Sequence, residues 1–167
     1  MTIQSAVLFL AVILALSLNA RARLGDSPLQ TIARYGQPVA STGQPGALTS
    51  TRTFQVSGLT VTCGYVKNKV EMITYARDDR AFNPQEVEAL LRTNGRKIGW
   101  KPGTGFGPGT YSRADGVTAT VTDAKVEIKS PTWLEALAKD LGAVEKAVAK
   151  AVQPATSNAA KSSVTTP

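Results

Sequence analysis

The sequence contains no histidine and only one cysteine, Cys63, among its 167 residues. Histidine changes charge near neutral pH and is the most common general base and metal ligand. Its absence excludes nucleophile systems of the Ser-His-Asp and Cys-His kinds, as well as zinc sites that rely on imidazole. The adjacent carboxylates of Asp78 and Asp79 form a weak cation site, because no third ligand lies near them in the sequence. We therefore expect a protein that is not an enzyme and that holds no cofactor and no metal.

Acidic residues are also in the minority, since 19 Lys and Arg stand against 12 Asp and Glu, for a formal net charge of +7. A basic balance favours anionic partners such as phospholipid headgroups. The basic residues are scattered and form no run, so we do not expect a nucleic-acid-binding protein.

Long apolar runs are missing except at the N-terminus, where residues 6–18 are almost entirely apolar. The small-x-small sequence Ala20-Arg21-Ala22 follows, which predicts a signal peptide over 1–22 that is cleaved near Ala22. The protein would then be secreted or periplasmic. The run is shorter than the about 20 residues of a membrane span, but the segment before it carries no Lys or Arg. An uncleaved N-terminal membrane anchor is therefore the alternative.

One sequence pattern occurs twice, first over Thr53–Met72 and again over Thr110–Ile128. Both copies contain a Thr-aromatic pair, a Gly turn, a run in which Thr alternates with apolar residues, and Lys-Val-Glu followed by an apolar residue. A short helix ending in Gly precedes each copy. The repeat predicts an α+β fold of two tandem antiparallel units, 23–78 and 79–130. Each unit would have one helix and three strands, with the helices on one face of the sheet.

Local signals place the helices and strands of each unit. Ser27 or Asp26 caps the first helix, and Asn83 caps the second. Residues 37–52 are rich in Gly, Pro, Ser and Thr and predict a surface loop. Cys63 falls on the apolar side of a strand, which predicts a buried, inert thiol; the alternative is a disulfide between two molecules.

A long amphipathic helix is predicted over 131–153, followed by a disordered tail over 154–167. Its N-terminal capping box is read from Thr132 to Glu135. An apolar stripe with steps of three and four would pack across the sheet of the same domain or pair with another helix. The stripe residues are Leu134, Leu137, Leu141, Val144 and Val148.

The segment from Arg92 to Lys101 and the glycine-rich loop after it supply the candidate contact residues. The loop 103–109 does not read as a phosphate cradle, because it lacks the Gly-Lys-Ser/Thr ending and leads into a strand. Exposed aromatic and basic side chains anchor protein partners, although a Trp after a helix also fills the edge of a core. The candidate partner-binding residues are Trp100, Phe106, Arg96, Lys97 and Lys101.

Residues Gly25–Pro38 follow the pattern G-x(10)-G-x-P around a capped helix. This resembles the start of the small outer-membrane-assembly lipoproteins of the SmpA/OmlA or BamE-like family, and the Val70-Glu71 strand is similar to their closing strand. The tandem arrangement resembles that of the β-lactamase inhibitor proteins, which implies partner binding by the concave face of a sheet. A lipobox cysteine is missing at the export site, so lipid anchoring is not implied. The start Arg23–Pro28, R-L-G-D-x-P, is equally similar to that of an uncharacterised family of secreted bacterial proteins.

These observations predict an exported, non-catalytic protein-binding or envelope-assembly module, as a monomer or weak oligomer. Its partner would be another protein, with an anionic envelope surface as a further contact. The alternative is a surface-associated enzyme or a polyanion-binding protein that uses the basic region from Arg92 to Lys101.

Overall fold

A computed structural model describes residues 23–44, 46–95, 98–103 and 109–152. The predicted signal peptide and tail lie outside these residues. The α+β class is confirmed, with three helices and one eight-stranded antiparallel sheet in the described part of the chain. The helices are α1 (Pro28–Tyr35), α2 (Pro84–Gly95) and α3 (Pro131–Val152). The strands are β1 (Ala40–Thr42), β2 (Thr49–Val56), β3 (Leu59–Val66), β4 (Lys69–Ala76), β5 (Lys101–Pro102), β6 (Thr110–Ser112), β7 (Thr118–Val121) and β8 (Lys125–Lys129).

The strand order is β1-β2-β3-β4-β8-β7-β6-β5. The last strand along the chain therefore lies in the middle of the sheet, where β8 pairs with β4. Ile73 lies opposite Ile128 in this pair, and Tyr75 lies opposite Val126. Among the described helices, none combines the length and the apolar character that a membrane span requires.

Each helix begins directly after a residue whose side chain caps the first turn. Ser27 and Gln30 form a capping box at α1, and Asn83 and Glu86 form another at α2, which confirms both predicted starts. α3 begins at residue 131 as predicted, but the predicted capping box from Thr132 to Glu135 is wrong. Ser130 accepts a hydrogen bond from the Trp133 N–H (3.1 Å), so the helix begins directly after it at Pro131.

The prediction of a loop over 37–52 is wrong in part, because β1 and the first residues of β2 lie there. Four strands follow α1 and four follow α2, where three were predicted for each. The missed strands β1 and β5 are the sheet edges, with three and two residues. All their residues are exposed, so they carry no apolar alternation that a sequence pattern could reveal.

One large buried cluster joins α1 and α2 to the sheet. Tyr35 at the end of α1 packs on Phe54, with ring centroids 5.4 Å apart, and Leu90 and Leu91 of α2 belong to the same cluster. Cys63 lies in this cluster with no exposed surface, which confirms the buried thiol. Burial raises the pKa of Cys63 to about 12, so the thiol stays protonated and unreactive at neutral pH.

A second, smaller cluster attaches α3 to the sheet. Trp133 and Ala136 are buried there with Val66 and Met72. Gly64 leaves room for the indole, since a Cβ at this position would lie 2.6 Å from Trp133 Cζ3. Asp140 continues the same side of the helix, because its carboxylate accepts hydrogen bonds from the backbone N–H groups of residues 48 and 49 (2.8 and 2.9 Å).

The prediction that the apolar stripe of α3 packs across the sheet is therefore wrong. Leu134, Leu141, Val144 and Val148 are between 46% and 60% exposed. The side of α3 that faces the sheet is instead formed by Trp133, Ala136 and Asp140, because the large indole over Gly64 sets the rotation of the helix.

Candidate binding surfaces

A groove with a volume of about 520 Å³ lies beside Trp100, between α2 and the β5–β6 edge of the sheet. Leu91, Ile98 and Tyr111 supply much of its apolar lining, while Glu88 and Arg92 lie at its border. The Glu88 and Arg92 side chains are 3.7 Å apart and are both largely exposed. We call this feature the Trp100 groove; its full lining comprises Glu88, Leu91, Arg92, Gly95, Ile98, Gly99, Trp100, Pro102 and Tyr111.

Trp100 itself is held firmly at the end of α2. Its indole N–H donates to the carbonyl oxygen of Leu91, in the C-terminal part of α2 (2.6 Å). The ring packs against the large buried cluster, and the Arg113 guanidinium lies 5.6 Å from its centroid. Trp100 thus closes the edge of the core and lines the groove at the same time.

The structure brings only some of the predicted contact residues together. Trp100 and Arg92 line the groove, whereas Lys101 does not. Lys101 pairs with Ser112 across the β5–β6 edge, and successive strand residues alternate between faces, so its side chain lies on the opposite face from Pro102. The other three predicted residues, Arg96, Lys97 and Phe106, lie outside the described residues.

Arg113 is a central residue of this region that the sequence reasoning missed. Its side chain is only 3% exposed, and its Nε donates to Asp115 (3.0 Å). A second contact with Asp115 makes the pair bidentate, and Arg113 also donates to the Asn94 carbonyl oxygen at the end of α2. The hydrogen bonds from Arg113 lower the pKa of the Asp115 carboxyl. The only sequence signal is the spacing Arg-x-Asp before Gly116, whose N–H donates to the Arg113 carbonyl oxygen (3.1 Å) and whose φ is 82°.

The second candidate surface is a line of polar side chains across the sheet. Each member is the direct cross-strand neighbour of the next, so all lie on one face, opposite the large buried cluster. The second cluster, which attaches α3 at Gly64 and Met72, lies on the same face as the row. At about 4.8 Å per strand, the line extends about 24 Å. We call it the threonine row; in sheet order it consists of Thr53, Thr62, Thr74, Glu127, Thr120 and Thr110.

The side chains of the row are half-buried or exposed, and several are fixed by neighbours. The hydroxyls of Thr53 and Thr62 are 3.1 Å apart, within hydrogen-bonding distance. Glu127 accepts hydrogen bonds from Lys125 (3.0 Å) and from Lys129. Partial burial acts to raise the pKa of Glu127, but these two lysines lower it overall, so the carboxylate is ionised at neutral pH.

The resemblance to the β-lactamase inhibitor proteins implied a contact through a sheet face but did not identify this row. The signal was present, because Thr-x-Thr occurs at 51–53, 60–62 and 118–120. What the sequence did not contain was the pairing of β4 with β8, which joins two separate threonine sets into one line.

In the ranges that the structure describes, no three His, Cys, Asp or Glu side chains lie close enough together to hold a metal ion. Comparison with protein-family models, with curated proteins and with solved structures finds no match to this chain.

Proposed function

We propose that this protein is an exported, non-catalytic binding module that contacts another protein through the threonine row. We further propose that the sheet is built from two tandem helix-plus-strand halves, with α1 and α2 on the face opposite the row. The observation that carries the proposal is the continuity of the row over six neighbouring strands of the sheet, in the order β2-β3-β4-β8-β7-β6. Contact through a sheet face is also what the resemblance to β-lactamase inhibitor proteins implies.

The chemistry of the row suits a protein contact. Threonine is β-branched, so it loses little rotamer freedom when a partner covers it. Each side chain presents a methyl group for packing and a hydroxyl that both donates and accepts hydrogen bonds. The Lys125-Glu127-Lys129 cluster adds charge at the centre, where it favours a partner with complementary charge.

The Trp100 groove supports the same function less strongly. The indole N–H is already used by Leu91, and the groove-lining Arg92 is paired with Glu88. Of the residues that would make the groove a basic contact patch, Arg96 and Lys97 lie outside the described residues. Lys101 lies on the face of the sheet opposite Pro102, which lines the groove. We therefore assign the groove a secondary role at most.

Capture of a partner from an envelope extract of the source organism tests the proposal. Two baits are compared, the unaltered protein and a variant with both Thr62→Arg and Thr120→Arg. The two substitutions place long charged side chains on the row, one in each half of the sheet. We expect the unaltered protein to retain one protein at high salt and the variant to lose it. A matched control, Glu88→Arg in the Trp100 groove, should retain it, because Glu88 is exposed and belongs to α2 and not to the row.

The salt dependence separates this proposal from the polyanion-binding alternative. That alternative rests on the exposed basic side chains Arg92 and Lys101. Binding to an anionic polymer weakens steeply as salt rises, because it releases condensed counterions. Salt-labile capture of anionic polymer, lost in Arg92→Ala and Lys101→Ala but kept in the row variant, would overturn the proposal in favour of the alternative.

A further inference from the structure

The apolar stripe of α3 is exposed although the helix itself is anchored. Trp133, Ala136 and Asp140 attach α3 to the sheet and to the segment before β2, and none of them belongs to the stripe. Leu134, at 46%, and Leu141, at 58%, are the largest of its exposed side chains. Apart from the half-buried Leu137, the stripe is therefore left uncovered by the described residues and is open to a further contact.

The spacing of the stripe identifies the kind of partner it fits. Its residues, Leu134, Leu137, Leu141, Val144 and Val148, alternate steps of three and four. This is the seven-residue period of a coiled-coil seam. A second helix with the same period follows such a seam along its length, whereas a sheet does not.

Charge selects the partner and its direction. The first half of α3 carries Glu135, Lys139 and Asp140, a net charge of −1 to which Asp140 contributes from the side that faces the sheet. The second half carries Glu145, Lys146 and Lys150, a net charge of +1. An antiparallel copy of the same helix places each half beside the oppositely charged half. The two helix dipoles are also opposed in this arrangement, which is favourable.

We propose that the stripe of α3 binds the stripe of a second copy of this chain, with the two helices antiparallel. Space is available for the partner helix. Between α3 and the segment that joins β1 to β2 lies a groove of about 530 Å³, and Val144 and Ala147 line it.

The size of the contact sets the strength of the dimer. The stripe covers little more than two heptads, so two copies bury on the order of 1,000 Å² in total, at the low end for specific interfaces. Both helices are already ordered by their anchors, so the helix-nucleation cost of a short free peptide is avoided. Because these two effects oppose each other, we expect a reversible dimer with a dissociation constant in the micromolar range.

Sedimentation velocity on the product of the full-length gene, purified with the N-terminal processing it receives, tests the proposal. We expect the sedimentation coefficient to rise from the monomer to the dimer value across the micromolar range. Leu141→Glu should keep the protein monomeric throughout. The control Leu29→Glu makes the same change at a leucine of α1 that is 78% exposed, and it should dimerise normally.

Cysteine cross-linking tests the direction of the helices. Single variants Leu134→Cys and Val148→Cys are prepared, one of them with a tag, and are mixed under mild oxidation. An antiparallel pair brings position 134 of one copy to position 148 of the other, so the mixed disulfide should form in preference to same-variant disulfides. The native Cys63 is buried and does not compete.

Three results would overturn the proposal. A monomer at every concentration excludes self-association. Preferential same-variant disulfides exclude the antiparallel arrangement. A monomer that binds anionic phospholipid vesicles, and loses this binding in Leu141→Glu, would assign the stripe to a membrane surface. These outcomes are independent of the threonine row, since Thr120→Arg, at an exposed position of β7, should leave dimerisation unchanged.

Discussion

Replacing Gly64 with alanine should loosen α3 from the sheet. A Cβ at this position would lie 2.6 and 2.7 Å from two carbons of the Trp133 ring and 3.0 Å from Met72 Cε. Carbon atoms in contact prefer a separation of about 3.5–4.0 Å, so the indole has to move outward by about 1 Å. Overpacking of this kind costs about 1–3 kcal/mol, and Tm falls by roughly 2–4 °C for each kcal/mol in a chain of this size.

A double-mutant cycle separates this steric conflict from a general effect on β3. The free energy of unfolding is measured by urea titration, followed by far-UV circular dichroism because Trp133 is itself altered. In the Trp133→Ala background, Gly64→Ala should be neutral or stabilising by up to about 1 kcal/mol, because alanine is favoured over glycine within a strand. An equal loss of stability in both backgrounds would refute the assignment of the glycine to the indole.

Three further predictions concern buried or paired groups. Asn94→Ala should cost about 2–3 kcal/mol in a urea titration, because it removes three hydrogen bonds made by a buried side chain; a negligible cost would contradict this. Cys63 should react with a thiol reagent at mildly alkaline pH only after denaturation, because burial raises its pKa to about 12, and rapid labelling of the folded protein would show otherwise. The hydrogen bond from Arg80 lowers the pKa of Glu86 from 4.5 to about 2, so its stabilising effect is complete above pH 4.5 and is lost as the pH falls through about 2. The difference in Tm between the wild type and Glu86→Gln should follow that course, and a difference that does not change with pH would exclude the ion pair as its cause.

Local signals in the sequence were sufficient for features that depend on neighbouring residues. The capping boxes at Ser27 and Asn83 determine where α1 and α2 begin, because each involves only residues three positions apart. The turn at Lys67-Asn68 depends on neighbouring residues in the same way, and both residues have positive φ values, 49° and 60°. The burial of Cys63 followed from simple alternation along β3.

Features that depend on contacts distant in the sequence could not be predicted. The rotation of α3 is set by Trp133 over Gly64, a pairing that the periodicity of the helix alone does not reveal. The stripe at Leu141 was a real pattern, but it was assigned to the wrong surface. Arg113 was missed because its role depends on the end of α2, which lies 19 positions away in the sequence at Asn94.

The candidate contact surface also combines features that depend on neighbouring residues with features that depend on strand pairing. Trp100 was identified from its position after a helix, and it does line a groove. The alternation that carries Lys101 to the opposite face depends on its pairing with Ser112, which is a property of the sheet. The threonine row likewise exists only because β8 returns to pair with β4.

A titration by methyl NMR tests the central claim most directly. The threonine methyl groups are labelled, and the protein retained in the capture experiment is added stepwise. The account predicts that the signals of Thr62, Thr74 and Thr120 shift or broaden first, while that of the buried Thr31 stays in place. Unchanged threonine signals, with perturbation confined to Trp100 and Tyr111 in the groove, would contradict it.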